Sequence, residues 1–153
     1  MSGLLFDEYP LIILPELACK IGLNEAIVLQ QLHYWLQKSD HEHEGRRWVY
    51  NTYDQWQEQF PFWSVPTIRR ALASLAALYE GRGDYPQAQA LARRHVALEP
   101  WNEDAHRALM RTLALDDQRS AALHQFQVCR RILAEDLGVE PAEETVALFE
   151  TIR

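Results

Sequence analysis

The second half of the chain repeats itself at an interval of about 34 residues, the length of a two-helix structural unit. An interval of this length is typical of stacked helix hairpins, in which small residues allow close approach and large residues fill the layer between units. Two units are fewer than such arrays usually need, so a final helix from about Pro141 to Ile152 is expected to cap the array. In the first unit, Asp84 is the predicted cap of a helix from Tyr85 to Leu98. The aligned positions are Ala71 with Ala105, Leu75 with Leu109, Ala88 with Ala122, and Leu98 with Ile132.

The composition changes near residue 75, which predicts two modules, residues 1–75 and 76–153. Of the 16 aromatic residues, 11 lie in the first module, whereas 14 of the 18 alanines lie in the second. The first module contains both lysines of the chain, and the second contains nine arginines and no lysine.

The totals for the chain limit the classes of protein to which it can belong. With 153 residues, 48% of them hydrophobic and 24% charged, it resembles a globular protein rather than a disordered or fibrous one. Prolines bound its longest apolar run, Leu11–Leu14, so we expect no membrane span, no signal peptide and a cytoplasmic location. A net charge of −7 argues against a generic polyanion binder, so any contact with DNA has to be local.

Helix signals dominate the first module. A short helix is predicted to begin near Pro15, and Asn24 is the predicted cap of a longer helix over 25–38. The polar stretch 39–45 is predicted to be a loop, and the bulky residues of 46–51 predict a short strand.

A helix-turn-helix pattern follows. Thr52 is the predicted cap of a helix over 53–60, and Ser64 is the predicted cap of a second helix. No Pro, Gly or polar cluster occurs between Pro66 and Glu80, so the second helix is predicted to be one segment of about 15 residues shared by both modules. The predicted fold is therefore mainly α, with the helix-turn-helix continuing through this shared helix into a two-repeat array. The apolar stripe of the shared helix comprises Ile68, Leu72, Leu75, Leu78 and Tyr79.

Segments 23–36, 48–52 and 56–72 resemble the N-terminal winged-helix domain of phage replication-initiation (replisome organiser) proteins. The resemblance implies that the helix over 66–75 recognises DNA and that a β-hairpin wing follows it. No alternating, glycine-turned segment follows Leu75, so the wing is predicted to be absent.

Segments 83–88, 100–110 and 133–141 are similar to the bacterial transcriptional activator domain. That domain is a tetratricopeptide-like module of antibiotic-pathway regulators and large ATP-binding transcription factors. The resemblance implies a helical-repeat fold and a role in dimer or partner contacts.

Four residues near the start of the shared helix are the predicted DNA contacts. The hydroxyls of Ser64 and Thr67 suit phosphate oxygens, and Arg69 or Arg70 could pair with guanine. In the alternative interpretation, Ser64 is only a helix cap and both arginines are solvated surface residues.

The concave groove of the helical-repeat module is the expected site for a partner protein or peptide. Apolar area left exposed where the wing and further repeats would pack leaves a homodimer and a monomer as alternatives. Six arginines could face an acidic peptide, although several must form polar helix faces: Arg93, Arg94, Arg107, Arg111, Arg130 and Arg131.

No enzymatic, metal or cofactor site is predicted. The two alternating histidines of the 41–44 segment supply at most part of a zinc shell, so a solvated loop is preferred. Neither a nucleophile triad order nor a Gly-rich phosphate loop is present. Cys19 and Cys129 are predicted to be buried small hydrophobes, and Trp101 a packing residue.

Two functional hypotheses follow from the junction between the modules. Natural fusions usually keep a flexible linker, so a linkerless junction favours an engineered chimera without a selected activity, with its seam between Leu72 and Ala77. The alternative is a DNA-binding transcription regulator with a helix-turn-helix and a tetratricopeptide-like protein-interaction module. Salt-sensitive binding to duplex DNA would distinguish the two hypotheses.

Overall fold

The described part of the chain is a succession of α-helices with one small β-hairpin. A computed structural model describes residues 12–40, 42–43, 46–47 and 52–153. The elements are α1 (Pro15–Ile21), α2 (Leu23–Lys38), β1 (Glu42–His43), β2 (Arg46–Arg47), α3 (Tyr53–Gln59), α4 (Val65–Gly81), α5 (Tyr85–Leu98), α6 (Glu103–Leu115), α7 (Arg119–Ile132), a π-helical turn (Leu133–Leu137) and α8 (Glu143–Ile152).

The mainly α fold is confirmed, and the predicted shared helix is the uninterrupted helix α4. Ile68, Leu72 and Leu75 of the predicted stripe are fully buried, and Leu78 and Tyr79 pack against the same cluster. The helix begins one residue before the predicted start and ends one residue after the predicted end. The apolar spacing therefore predicted both the length and the buried face of α4.

Side-chain caps were predicted for the starts of α3, α4 and α5, and two of them form. The Oγ1 of Thr52 accepts the backbone N–H of Gln55 at 3.3 Å, and Oε1 of Gln55 accepts the N–H of Thr52 at 2.9 Å. This reciprocal capping box confirms the prediction for α3. Asp84 accepts a first-turn N–H of α5 at 3.4 Å, as predicted. Ser64 occupies the N-cap position of α4, as predicted, but its hydroxyl contacts the hydroxyl of Thr67 at 3.0 Å and makes no cap hydrogen bond to a backbone N–H.

The first module differs from the prediction in two further places. The longer helix starts at Leu23 and follows Gly22 directly, so Asn24 lies inside the first turn of α2 and is not its cap. Part of the predicted loop forms β1, which pairs antiparallel with β2. The first two residues of the predicted strand form β2, and residues 48–51 lie outside the described residues.

One buried cluster joins the first module to the helical-repeat array. Trp56 and Phe60 from the end of α3 pack with residues of α2 and α4, and the ring centroids of Trp35 and Trp56 are 4.9 Å apart. Leu91 of α5 belongs to this cluster, whereas the adjacent Ala92 belongs to a second cluster with Leu109 and other residues of α6 and α7. Helix α5 therefore links the two cores.

The internal repeat corresponds to two stacked hairpins, α4–α5 and α6–α7. Three aligned pairs are buried in both copies: Ala71 with Ala105, Leu75 with Leu109, and Ala88 with Ala122. Equal burial at equivalent positions is the expected consequence of stacking one structural unit on another.

Helix α8 packs against α6 and α7 as the predicted cap, although it begins at Glu143 rather than near Pro141. The Oγ1 of Thr145 accepts a hydrogen bond from Arg107 at 2.7 Å and donates one to Glu103 at 2.5 Å. These bonds fix α8 to the start and middle of α6.

Residues 82–153 contain no strand, so no wing follows α4, as predicted. Among the described residues, no helix is both long enough and apolar enough to cross a membrane.

Candidate interaction sites

The predicted DNA contacts lie at the exposed start of α4. Ser64 and Arg70 are exposed, whereas Thr67 and Arg69 are partly buried. The Nε of Arg70 donates to the carbonyl of Pro66 at 3.2 Å, a bond within its own helix. Ser64, Thr67 and Arg70 therefore lie at one accessible helix end without a carboxylate partner in the described structure.

Arg69 has a different environment, because its guanidinium forms an ion pair with Glu99. The Glu99 side chain is only 7% exposed, whereas that of Arg69 is 40% exposed. The Nδ2 of Asn102 also donates to Glu99, at 2.8 Å, and the Nε2 of His95 lies 3.5 Å from the same carboxylate. Glu99 thus lies at the centre of a polar cluster that joins α4 to the end of α5.

Burial sets the electrostatics of this polar cluster. It lowers the pKa of His95, while the nearby Glu99 opposes the shift, so the imidazole is neutral at neutral pH. Burial also raises the pKa of Tyr53, which lies beside Arg69 and Glu99. The hydroxyl of Tyr53 and the Nε of Arg69 are buried without hydrogen-bond partners in the described part of the chain. Glu99 is therefore the main counter-charge of Arg69.

The sequence did not reveal this cluster. Glu99 follows the last residue of α5 and precedes Pro100, a place where a charged residue is usually solvated. The contact between Arg69 and Glu99 spans 30 residues, and no local pattern connects these two positions.

The second candidate site is a cleft of about 250 Å³ between α4, α5 and α6. Ala73 and Ala77 of α4 and Ala108 of α6 contribute small side chains to its lining. Arg107 and Arg111, one turn apart on α6, supply two guanidinium groups. The cleft therefore combines small side chains with hydrogen-bond donors suited to carboxylates.

Carboxylates of the chain itself hold both of these guanidinium groups. Arg107 pairs with Asp104, and the Nε of Arg111 donates to Glu80 at 2.7 Å. The side chain of Arg111 is 45% exposed and that of Glu80 is 19% exposed, so the arginine is the accessible member of this ion pair.

The other four candidate arginines do not line this cleft. Arg93 and Arg131 are exposed, and Arg130 pairs with Glu140 at 3.1 Å. Arg94 is partly buried on α5, burial lowers its pKa to about 10, and its Nε has no partner in the described residues. Of the six arginines predicted for the groove, two line the cleft, Arg107 and Arg111.

No cluster of metal-ligating side chains occurs in the described residues. His41 and Glu44 of the predicted solvated loop lie outside those residues. Cys129 is buried and its pKa is raised to about 11 by burial, but Cys19 is exposed, so the prediction for Cys19 was wrong. Trp101 is 53% exposed and is not the packing residue that was predicted.

The fold is that of a helical-repeat module. The family described as the bacterial transcriptional activator domain matches residues 67–153, more than half of the chain. The chain belongs to this family. The match begins within α4, so the family region includes most of the shared helix.

Two curated relatives are both named transcriptional regulatory protein MoaR1, one from Mycobacterium bovis and one from Mycobacterium tuberculosis. Each is 35% identical to this chain over 79 residues, which are 50% of this chain and 24% of the relative. The chain therefore spans about a quarter of the length of these relatives. No solved structure matches it significantly.

These comparisons support a transcription-regulator-like chain. They give no support to the phage-type resemblance of the first module or to an engineered fusion.

Proposed function

We propose that this chain is part of a bacterial transcription regulator and that its helical-repeat array binds an acidic segment of a partner protein. The observation that carries the proposal is the cleft between α4 and α6, which places Arg107 and Arg111 beside small side chains. We further propose the division into modules 1–75 and 76–153, with the helix over 66–80 common to both.

The lining of the cleft favours a peptide main chain as the occupant. Ala73 and Ala77 are exposed on α4, so a partner backbone can approach the helix closely there. The Arg111 side chain is 45% exposed, so a carboxylate of a partner can reach its guanidinium. Carboxylates of a bound segment would replace Glu80 and Asp104 as partners of the two arginines.

Fluorescence anisotropy with labelled peptides tests the protein-binding proposal. A glutamate-rich peptide should bind the wild-type chain, and Ala77→Tyr should block binding because it fills the cleft without disturbing a buried residue. Arg111→Ala should weaken binding about tenfold, as expected for the loss of about 1.4 kcal/mol. Arg130→Ala is the matched control, since Arg130 lies outside the cleft. Equal binding by the wild type and Ala77→Tyr, or no binding of the acidic peptide, would refute the proposal.

DNA binding is the second candidate function, and the exposed polar end of α4 favours it. Ser64, Thr67 and Arg70 lie at the accessible start of α4, which supports the proposal that α4 is the second helix of a helix-turn-helix and enters the major groove. Arg70 is the sole charged residue on the exposed face of α4, whose other members include Ala73 and Ser74. We therefore expect weak binding that depends strongly on salt.

A titration of a fluorescent duplex at low and moderate salt tests this second function. Arg70→Ala should abolish most of the binding, whereas Ser74→Ala, an uncharged change on the same exposed face, should leave it unchanged. Absence of binding at low salt, or equal effects of the two substitutions, would exclude DNA binding through this face.

A further inference from the structure

The polar cluster around Glu99 has a direct bearing on the predicted DNA contacts. Arg69 and Arg70 are neighbours on α4, yet Arg69 is paired with the carboxylate of Glu99, whereas Arg70 is exposed and bonds to a carbonyl of its own helix. The Arg69 side chain is 40% exposed and so remains within reach of solvent. Its availability to another anion depends on Glu99.

Glu99 is well held in this position. Its carboxylate accepts hydrogen bonds from Arg69 and Asn102, and its side chain is only 7% exposed. A carboxylate so far removed from water requires its cationic partner, because burial of an unpaired charge is costly. A phosphate would therefore have to displace a strongly held competitor to reach Arg69.

We propose that Glu99 sets the affinity of α4 for DNA by keeping Arg69 from the phosphate backbone. Glu99 follows α5 and Arg69 lies on α4, the helix predicted to recognise DNA, so the packing of these two helices controls the contact. The inference rests on the second proposed function, DNA binding through α4.

Duplex titrations of the whole chain test the role of Glu99. Glu99→Gln removes the charge but keeps an oxygen that accepts from Asn102, so it should free Arg69 and tighten binding. One added phosphate contact steepens the slope of log K against log salt concentration by about 0.9. Between about 50 and about 200 mM salt, the affinity of Glu99→Gln should therefore fall about 3.5-fold more than that of the wild type. Arg69→Ala combined with Glu99→Gln should return binding to the wild-type level.

A charge-conserving variant separates release of Arg69 from loss of a negative charge. Glu99→Asp shortens the side chain by one methylene and should give part of the gain, because the charge remains but reaches Arg69 less well. Arginine side-chain NMR spectra supply a second measurement, in which the Arg69 signal should shift on DNA addition in Glu99→Gln but not in the wild type.

The outcomes distinguish the inference from the function on which it rests. If Arg70→Ala weakens binding while Glu99→Gln leaves it unchanged, DNA binding stands and the role of Glu99 is refuted. If the double variant binds as tightly as Glu99→Gln, the gain does not pass through Arg69 and the role of Glu99 is also refuted. If Glu99→Asp gives none of the gain, the effect of Glu99→Gln comes from net charge, and the role of Glu99 is likewise refuted. If neither the wild type nor Glu99→Gln binds at low salt, DNA binding itself is excluded.

Discussion

Substitution of Arg69 should destabilise the fold as well as alter binding. Arg69→Ala leaves the buried carboxylate of Glu99 with Asn102 as its remaining close donor. Breaking a fully buried ion pair costs about 3–5 kcal/mol, and losing a hydrogen bond to a charged group costs about 1.5–3 kcal/mol. Because the arginine end is 40% exposed, we expect the lower range, about 2 kcal/mol.

Urea unfolding followed by circular dichroism measures this cost. Arg70→Ala is the matched control, since Arg70 is exposed and bonds to a carbonyl of its own helix, so its change should stay within about 0.5 kcal/mol. For a chain of this size, a loss of about 2 kcal/mol lowers the melting temperature by about 4–8 °C. The slope of the free energy of unfolding against urea concentration should be the same for both variants and the wild type.

A double-mutant cycle isolates the contact between the two side chains. Glu99→Gln in the Arg69→Ala background should recover part of the lost stability, because it removes the unpaired buried charge. The predicted ion-pair contribution would be refuted if Arg69→Ala and Arg70→Ala were equally stable. It would also be refuted if the effects of Arg69→Ala and Glu99→Gln on the free energy of unfolding added to within about 0.3 kcal/mol in the double variant. A variant that combines Arg69→Ala with Arg70→Ala would also be destabilised. Its loss of DNA binding would therefore not by itself show that the two arginines contact DNA.

Two further outcomes follow from buried polar groups. Burial lowers the pKa of His106, whose ring nitrogens contact the carbonyl of Pro100 and the side-chain amide of Gln125 at 2.7 Å each. The unfolded chain therefore takes up a proton on His106 more readily than the folded chain does. As pH drops below 6.5, the free energy of unfolding should fall. In urea titrations at several pH values, His106→Gln should make this fall less steep. Thr145→Val should cost about 1–3 kcal/mol in urea unfolding, because Arg107 and Glu103 lose a shared partner, and a cost below about 0.5 kcal/mol would contradict the role of this bond in holding α8.

Much of the fold follows from local and periodic signals. The 34-residue spacing predicted burial of Ala71 with Ala105 and of Leu75 with Leu109, because stacked units bury equivalent positions. Thr52 and Asp84 were predicted as caps because their side chains accept bonds from residues three positions ahead. These contacts are short in sequence or repeat at a fixed interval.

The candidate sites were less predictable because their contacts are distant in sequence. Arg69 and Arg70 have the same local context, and only the packing of α5 against α4 gives one of them a buried carboxylate. Ser64 has the residue type of a cap, yet its hydroxyl finds a nearer partner in Thr67. The cleft depends on the stacking of α4 against α6, which places Ala77 opposite the arginines of α6.

The absence of a break in α4 also restricts how this sequence can change. Each residue inserted into a helix turns the following part by about 100° and advances it by about 1.5 Å. An insertion near Ser74 would therefore rotate Ile68 and Leu75 onto different sides, although both are now buried in one cluster. The rotation of one end of α4 relative to the other is therefore fixed by the number of residues between them. Insertions and deletions should be tolerated in the turns that bound α4 but not within it.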